Sequence, residues 1–335
     1  MSLDQKAQHL KRFRPKLSFD TVLGQPPRFQ VELELGEAVD GCPRGSAQFS
    51  SFFQDVRGRL RYAPSVYQTK MGSGMRILAA VYGLVCYVVF LGSFLYAIGF
   101  VGNAMVATSI DVGRNAPLAI ALAFDIALLG IFAVQHSLMA RPFFKRRWTK
   151  IVPQAVERST YVLFSSLALI LLYWQWRAIT IPIWTVTNPT AAAVLWAIFW
   201  VGWATVLLST FMISHFELFG LTQVWINLRN RPHSQTPFQT PFQTPFLYGF
   251  VRHPIYLGFM LAFWATPHMT GGHLLFSVMT TAYILIAIQL EEHDLIAAFG
   301  DSYSNYRKRV SMLIPLLPKA SGAAAASDHG LGTYR

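Results

Sequence analysis

A chain of 335 residues that is 53% hydrophobic and 13% charged lies close to soluble proteins in bulk composition, so the arrangement of its apolar residues must decide its class. A formal net charge of +12 would suit a nucleic-acid binder, but the Lys and Arg residues stand between long uncharged runs, where the positive-inside rule places them in a membrane protein; nucleic acid is set aside as a partner. Two cysteines, Cys42 in a polar stretch and Cys86 in an apolar one, make no disulfide framework and are expected as free thiols. Uncharged runs of about 18 residues or more read as membrane spans. They lack the alternation of barrel strands, and a helix satisfies its own backbone in lipid. The expected class is therefore all-α: a polytopic integral-membrane helical bundle of about six spans, the last two forming a helical hairpin.

In chain order, residues 1–74 are polar, mixed in charge and broken by prolines, and read as a largely disordered tail without a catalytic role. The first apolar run lies far from residue 1 and is too long for a cleavable signal sequence. Spans are expected near 77–101, 117–139, 161–181 and 191–212, and then from the paired runs 259–266 and 274–290. Segments 141–158, 229–252 and 307–309 are basic, whereas 103–116, 178–190 and 267–272 carry almost no charge. Six crossings put the two groups on opposite sides, which makes both termini cytoplasmic. Asp125 stands in mid-span, where an ionisable group either marks function or is protonated against a neighbouring helix. Trp174, Trp176, Trp184 and Trp225 fall near span ends and read as an interfacial belt. Residues 235–246 are three copies of Gln-Thr-Pro-Phe, which reads as a tolerated loop duplication. Residues 316–335 read as a second disordered tail, leaving 75–315 as the membrane domain.

The most informative stretch is 252–315. It opens Arg252-His253-Pro254-Ile255-Tyr256-Leu257-Gly258, passes through the uncharged hairpin, and closes with Glu291-Glu292-His293-Asp294-Leu295, Phe299-Gly300-Asp301, Tyr303 and Tyr306. A hairpin returns to its starting side, so the basic entry and acidic exit should meet at one membrane surface. Pro254 suits the first turn of a helix, whose free N–H groups with Arg252 and His253 make an anion site. Two acids at a helix C-terminus oppose the helix dipole and call for a cation, which Arg252 can supply without any ligand. Gly300 suits the end of a helix, Asp301 a following cap, and Tyr303, Tyr306 and Val310 one face of an amphipathic helix.

This pattern resembles the cofactor motif of the isoprenylcysteine carboxyl methyltransferase-like membrane methyltransferases. The resemblance implies a cytoplasmic S-adenosylmethionine pocket built from Arg252, His253, Pro254, Tyr256, Gly258, Glu291, Glu292, Tyr303 and Tyr306, with no metal. In that reading the helix N-terminus takes the cofactor carboxylate, the glutamates take the ammonium or ribose, and the tyrosine helix walls the adenine.

Upstream, Gln135-His136-Ser137, Glu157-Arg158-Ser159-Thr160-Tyr161, Trp174-Gln175-Trp176-Arg177 and Ser214-His215-Phe216-Glu217-Leu218-Phe219-Gly220 resemble the nurim-like family, in particular its bacterial methanethiol S-methyltransferases. That likeness implies methyl transfer to methanethiol or another small thiol, giving dimethyl sulfide and S-adenosylhomocysteine. A thiol attacks as its thiolate, so a base or a cationic partner should help. The candidates are His136, His215 and Glu217 as bases and Arg158 as a thiolate partner. Two other readings stay open: methylation of a lipid-borne group such as a prenylcysteine carboxylate or phospholipid amine, and a non-catalytic nurim-like membrane protein; a sterol reductase is disfavoured, because the chain has too few spans and carries Phe299-Gly300-Asp301 in place of a Lys-Tyr-Gly-type segment.

Overall fold

The long uncharged runs fold as helices because nothing else closes its hydrogen bonds within one segment in lipid. The computed structural model describes residues 72–231 and 244–315. Helix α1 is Ser73–Gly102, α2 Leu118–Ala140, the short α3 Pro142–Trp148, and α4 Gln154–Gln175. Strand β1, Pro182–Thr185, precedes α5, Pro189–Ile213, which is followed by α6, His215–Leu218, and α7, Leu221–Leu228. A 3-10 turn, Phe246–Gly249, leads to α8, Pro254–Trp264, then β2, His268–Thr270, α9, Gly271–Phe299, and α10, Asp301–Arg309. The polar tails and most of the Gln-Thr-Pro-Phe repeat lie outside the described residues.

Five of these helices, α1, α2, α4, α5 and α9, are long and apolar enough to cross a membrane. The expected fifth span, the first arm of the hairpin, is shorter: α8 has 11 residues, about 16 Å at 1.5 Å per residue, roughly half of a hydrocarbon core. Pro267 explains the stop, since it bars helix at the preceding residue and lacks an N–H. The crossing is completed by extended chain that reaches β2 and pairs antiparallel with β1. Its polar groups are satisfied inside the protein. Val186 N donates to Pro267 O at 2.8 Å, and the Thr266 hydroxyl donates to His268 O at 2.9 Å. Phe263 O, freed where α8 ends, accepts from Ser277 Oγ at 2.7 Å and bonds His273 Nε2 at 2.9 Å. The third span also ends earlier than expected, at Gln175, and Trp176 leaves the belt. It is 1% exposed, and its indole donates to Ile110 O at 3.0 Å. Trp174, Trp184 and Trp225 are exposed as expected.

The loops sort into two ends. At one, Gly271 N donates to Ile181 O and Gly272 N to Ile179 O, Thr270 donates to Asp111, and buried Asp125 accepts from Arg177 N at 3.0 Å. Asp125 therefore holds the end of α4 in place. At the other end, Arg141 pairs with Asp294 at 3.0 Å, Arg158 Nε donates to Leu218 O at 2.8 Å, and Val251 bridges Ser311. Every described Lys and Arg except Arg114 and Arg177 belongs to this second end.

Between the ends, Phe100, Tyr173, Trp176, Phe199, Trp203, Phe263 and Phe276 form an aromatic core. Helices α5 and α8 touch backbone to backbone. A Cβ on Gly258 would meet Gly202 O at 2.7 Å and Val206 N at 2.9 Å. Small residues permit this approach where lipid gives helices no hydrophobic reason to associate. Gly258→Val should therefore lower stability by about 2 kcal/mol or more. A Cβ on Gly92 meets nothing within 4 Å, so Gly92→Ala should be neutral. Thermal unfolding of both variants in detergent checks this; equal midpoints would refute it.

Candidate active site

The ends of the α8–α9 pair do meet, and a buried carboxylate is the centre. Glu292, whose side chain is 4% exposed, lies near the end of α9. Its Oε1 accepts from Arg252 Nε at 2.7 Å and bonds His253 Nε2 at 3.1 Å, while Oε2 takes Arg307 Nε at 3.1 Å. A buried carboxylate is tolerable only with this degree of pairing and hydrogen bonding.

Local sequence sets the geometry. His253 is the N-cap of α8 in a non-helical conformation, and Pro254 follows in the first turn as expected. Gly300, at φ 55°, ends α9 in a conformation glycine adopts freely, and the chain turns straight into α10. Asp301 is then the first helical residue rather than the cap, a favourable place for an acid. The helix folds back over the cluster and delivers Arg307. Arg252 Nη1 donates to Arg307 O at 3.1 Å and Val310 O at 2.7 Å, so one guanidinium binds Glu292 and also caps the C-terminal carbonyls of α10. Backbone bonds from Arg252 N to Ser311 O and His253 N to Met312 O continue the clasp.

Glu291 is the opposite of its neighbour. Its side chain is 46% exposed, accepts from the Tyr256 hydroxyl at 3.0 Å, and lies 3.8 Å from His253 Nδ1. Beside the clasp is a hollow of about 490 Å³ lined by Arg252, Ser304, Arg307 and Lys308, within the ordinary size range of ligand pockets. Tyr303 and Tyr306 are buried, at 2% and 5% exposure, so neither offers an open ring face. They seat α10, and Tyr306 donates to Tyr248 O. Burial pushes the Tyr306 phenol up to about 12, so both phenols stay neutral donors. Gly258 faces α5, where the close approach of the two helices requires it.

The remaining candidates divide into two groups. His136 on α2 meets Tyr161 and Ser165 on α4 and stacks on Phe132. Arg158 lies over the Tyr161 ring at 5.5 Å. Ser137 bonds the Tyr283 hydroxyl at 3.1 Å, joining this side to α9. His215 sits elsewhere, among α1 and α5. Its Nδ1 bonds Thr210 Oγ1 and its Nε2 bonds Tyr87 OH, each at 2.9 Å, and burial lowers its pKa. Glu217 is exposed. Sequence reasoning passed over Arg307 and Tyr161. Helical spacing carries a signal for each: 303, 306 and 307 share one face of α10, and 158, 161 and 165 share one stripe of α4.

Comparison with known proteins adds a second line. The chain is 56% identical over 240 residues to methanethiol S-methyltransferase of Mycobacterium tuberculosis, covering 72% of this chain and 97% of that one. It is 50% identical over 246 residues to the methanethiol S-methyltransferase of Crocosphaera subtropica, covering 73% and 95%. Nurim of Xenopus laevis is 27% identical over 265 residues, covering 71% and 87%. No family model and no solved structure matches the chain.

The clasp makes a stability forecast. Glu292→Ala leaves two guanidinium groups facing a void and should cost about 3 kcal/mol or more. Arg141→Ala breaks an exposed ion pair, with side chains 26% and 51% exposed, and should cost under about 1 kcal/mol. Unfolding midpoints in detergent give the order, and a neutral Glu292→Ala would contradict the clasp.

Proposed function

The chain belongs to the methanethiol S-methyltransferase family, within a wider group that includes nurim, and from that premise we propose that it transfers the methyl group of S-adenosylmethionine to methanethiol. The observation that carries the reading is the division of labour at the clasp: Glu292 is already satisfied by protein donors, while Glu291 and a basic hollow remain accessible. The donor set suits an amino-acid zwitterion. Arg252, Arg307 and Lys308 around the hollow would hold the cofactor carboxylate, and Glu291 would hold its ammonium group. Tyr256 aims Glu291, and His253 positions Glu292.

When bound, S-adenosylmethionine supplies an electrophilic methyl: a bond from the acceptor sulfur to that carbon forms as the sulfonium C–S bond breaks, its electron pair staying on the cofactor sulfur. The protein's part is to keep the acceptor dry, oriented and deprotonated. A small apolar thiol can partition from the bilayer. Of the candidate bases, His136 has the best claim, because α2 is tied to α9 by Ser137–Tyr283 and by Arg141–Asp294.

The concentration of Lys and Arg at the clasp end supports a cytoplasmic site and cytoplasmic termini. The Mycobacterium tuberculosis relative matches over 240 residues, 97% of its own length, which supports a catalytic unit of about the size of residues 75–315.

Cells making the protein and given methanethiol should release dimethyl sulfide, read by headspace gas chromatography; its absence sinks the reading. Glu291→Gln should weaken S-adenosylmethionine binding by about tenfold, the worth of one charge-assisted bond, as read by calorimetry. A chain begun at Met71 should keep wild-type turnover.

A further inference from the structure

The end of the bundle opposite the clasp breaks the positive-inside rule at two residues, and the fold sets those two side by side. Arg114 lies in the loop before α2, Arg177 lies just past the end of α4, and a parallel backbone bridge joins them. The loop is fastened in place. Trp176 Nε1 donates to Ile110 O at 3.0 Å, the Thr108 hydroxyl donates to Tyr173 O at 2.9 Å, and a Cβ on Gly113 would meet Trp176 O at 3.0 Å. Asp125 accepts from Arg177 N and holds the other side of the bridge.

Each guanidinium rests over an aromatic ring on the outer face of the bundle. Arg114 lies 5.6 Å from the Trp174 ring centroid and Arg177 lies 4.9 Å from that of Phe124. Both rings are exposed, on surface that a bilayer covers. A cation held over a ring face keeps N–H donors for another partner. Arg177 spends two of its five on Gln175: Nη1 donates to the carbonyl at 2.8 Å and Nη2 to the side-chain oxygen at 3.5 Å. Among the described residues, the Arg114 side chain makes no hydrogen bond and no ion pair.

The carboxylates at this end are committed elsewhere. Asp111 accepts from Asn103 Nδ2 at 2.6 Å and from the Thr270 hydroxyl, and Asp125 is fully buried against the Arg177 amide. Beyond Trp174, the exposed face of α4 continues through Ile170 and Leu167, an apolar stripe at helical spacing. Two forked cations beside an apolar wall match one chemistry, a phosphate ester that carries acyl chains. Guanidinium groups take phosphate through paired N–H donors, and basic sites among membrane helices take lipid headgroups. A snorkelling arginine reaches water singly and needs no second cation fixed beside it.

We propose that Arg114 and Arg177 together bind the phosphate of a phospholipid in the leaflet at the end opposite the clasp, with an acyl chain lying along α4. The Trp174-Gln175-Trp176-Arg177 segment then has a joint role. Trp174 is the shelf under Arg114, Gln175 orients Arg177, and Trp176 anchors the loop that brings Arg114 into place. The site is independent of the methyl-transfer reading.

The test uses the full-length protein in non-ionic detergent, with dioleoylphosphatidylglycerol titrated in and bound lipid counted by native mass spectrometry. The wild type should retain this lipid at concentrations where dioleoylglycerol, which has the chains without the phosphate, and glycerol 3-phosphate, which has the phosphate without the chains, are lost. Arg114→Gln and Arg177→Gln should each weaken retention by about tenfold, the worth of one charge-assisted bond. Arg114→Gln gives up no hydrogen bond to the described protein, so it reads the site even if Arg177→Gln folds poorly. Arg146→Gln combined with Arg147→Gln removes two exposed cations of α3 at the clasp end and should leave retention unchanged. Undiminished retention in Arg114→Gln, an equal loss in the α3 pair, or either fragment held as firmly as the whole lipid would overturn the proposal.

Discussion

A carboxylate buried at the end of an apolar helix is the constraint around which this fold closes. Glu292 cannot be left unpaired in such a place, and its partners come from two other parts of the chain, the start of α8 and the last turn of α10. Arg252 and His253 fix where α8 begins, and Arg307 fixes how α10 folds back. The hairpin, the turn at Gly300 and the return of residues 310–312 beside 251–253 serve one charge balance. Arg252 and Arg307 together outweigh Glu292, which leaves the neighbouring hollow positive and Glu291 accessible to a ligand.

Much of this was legible in the sequence, because lipid narrows the choices. Uncharged runs had to be helices, and the alternation of basic and uncharged loops gave the two ends of the bundle. What periodicity could not give was length. The run at 259–266 looks like half of a hairpin, yet Pro267 ends α8 after 11 residues and the crossing finishes as extended chain paired with β1. That pairing joins segments more than eighty residues apart, and nothing local announces it. Trp176 was misread for a similar reason: an indole near a span end suits a belt, but a carbonyl from the 103–117 loop was waiting for it.

The site was legible in its members and less so in its hierarchy. The sequence brought Arg252, His253 and the two glutamates together, but adjacent glutamates look equivalent on paper. Successive residues on a helix point about 100° apart, so one turns inward and the other to solvent. Arg307 looked like one of three surface cations until α10 was seen folded over α9. Tyr161 and Ser165 carry no signal as a pair of polar residues in a helix. Both contact His136 on another helix.

The double duty of Arg252 has a consequence for what that position tolerates. A guanidinium is a rigid fork: one arm reaches a carboxylate while another reaches two carbonyls at a helix end. An ammonium carries the same charge at a single point and cannot span both. Lysine would preserve the electrostatics of the clasp and still leave the last turn of α10 uncapped, so shape, and not charge alone, explains why an arginine stands here.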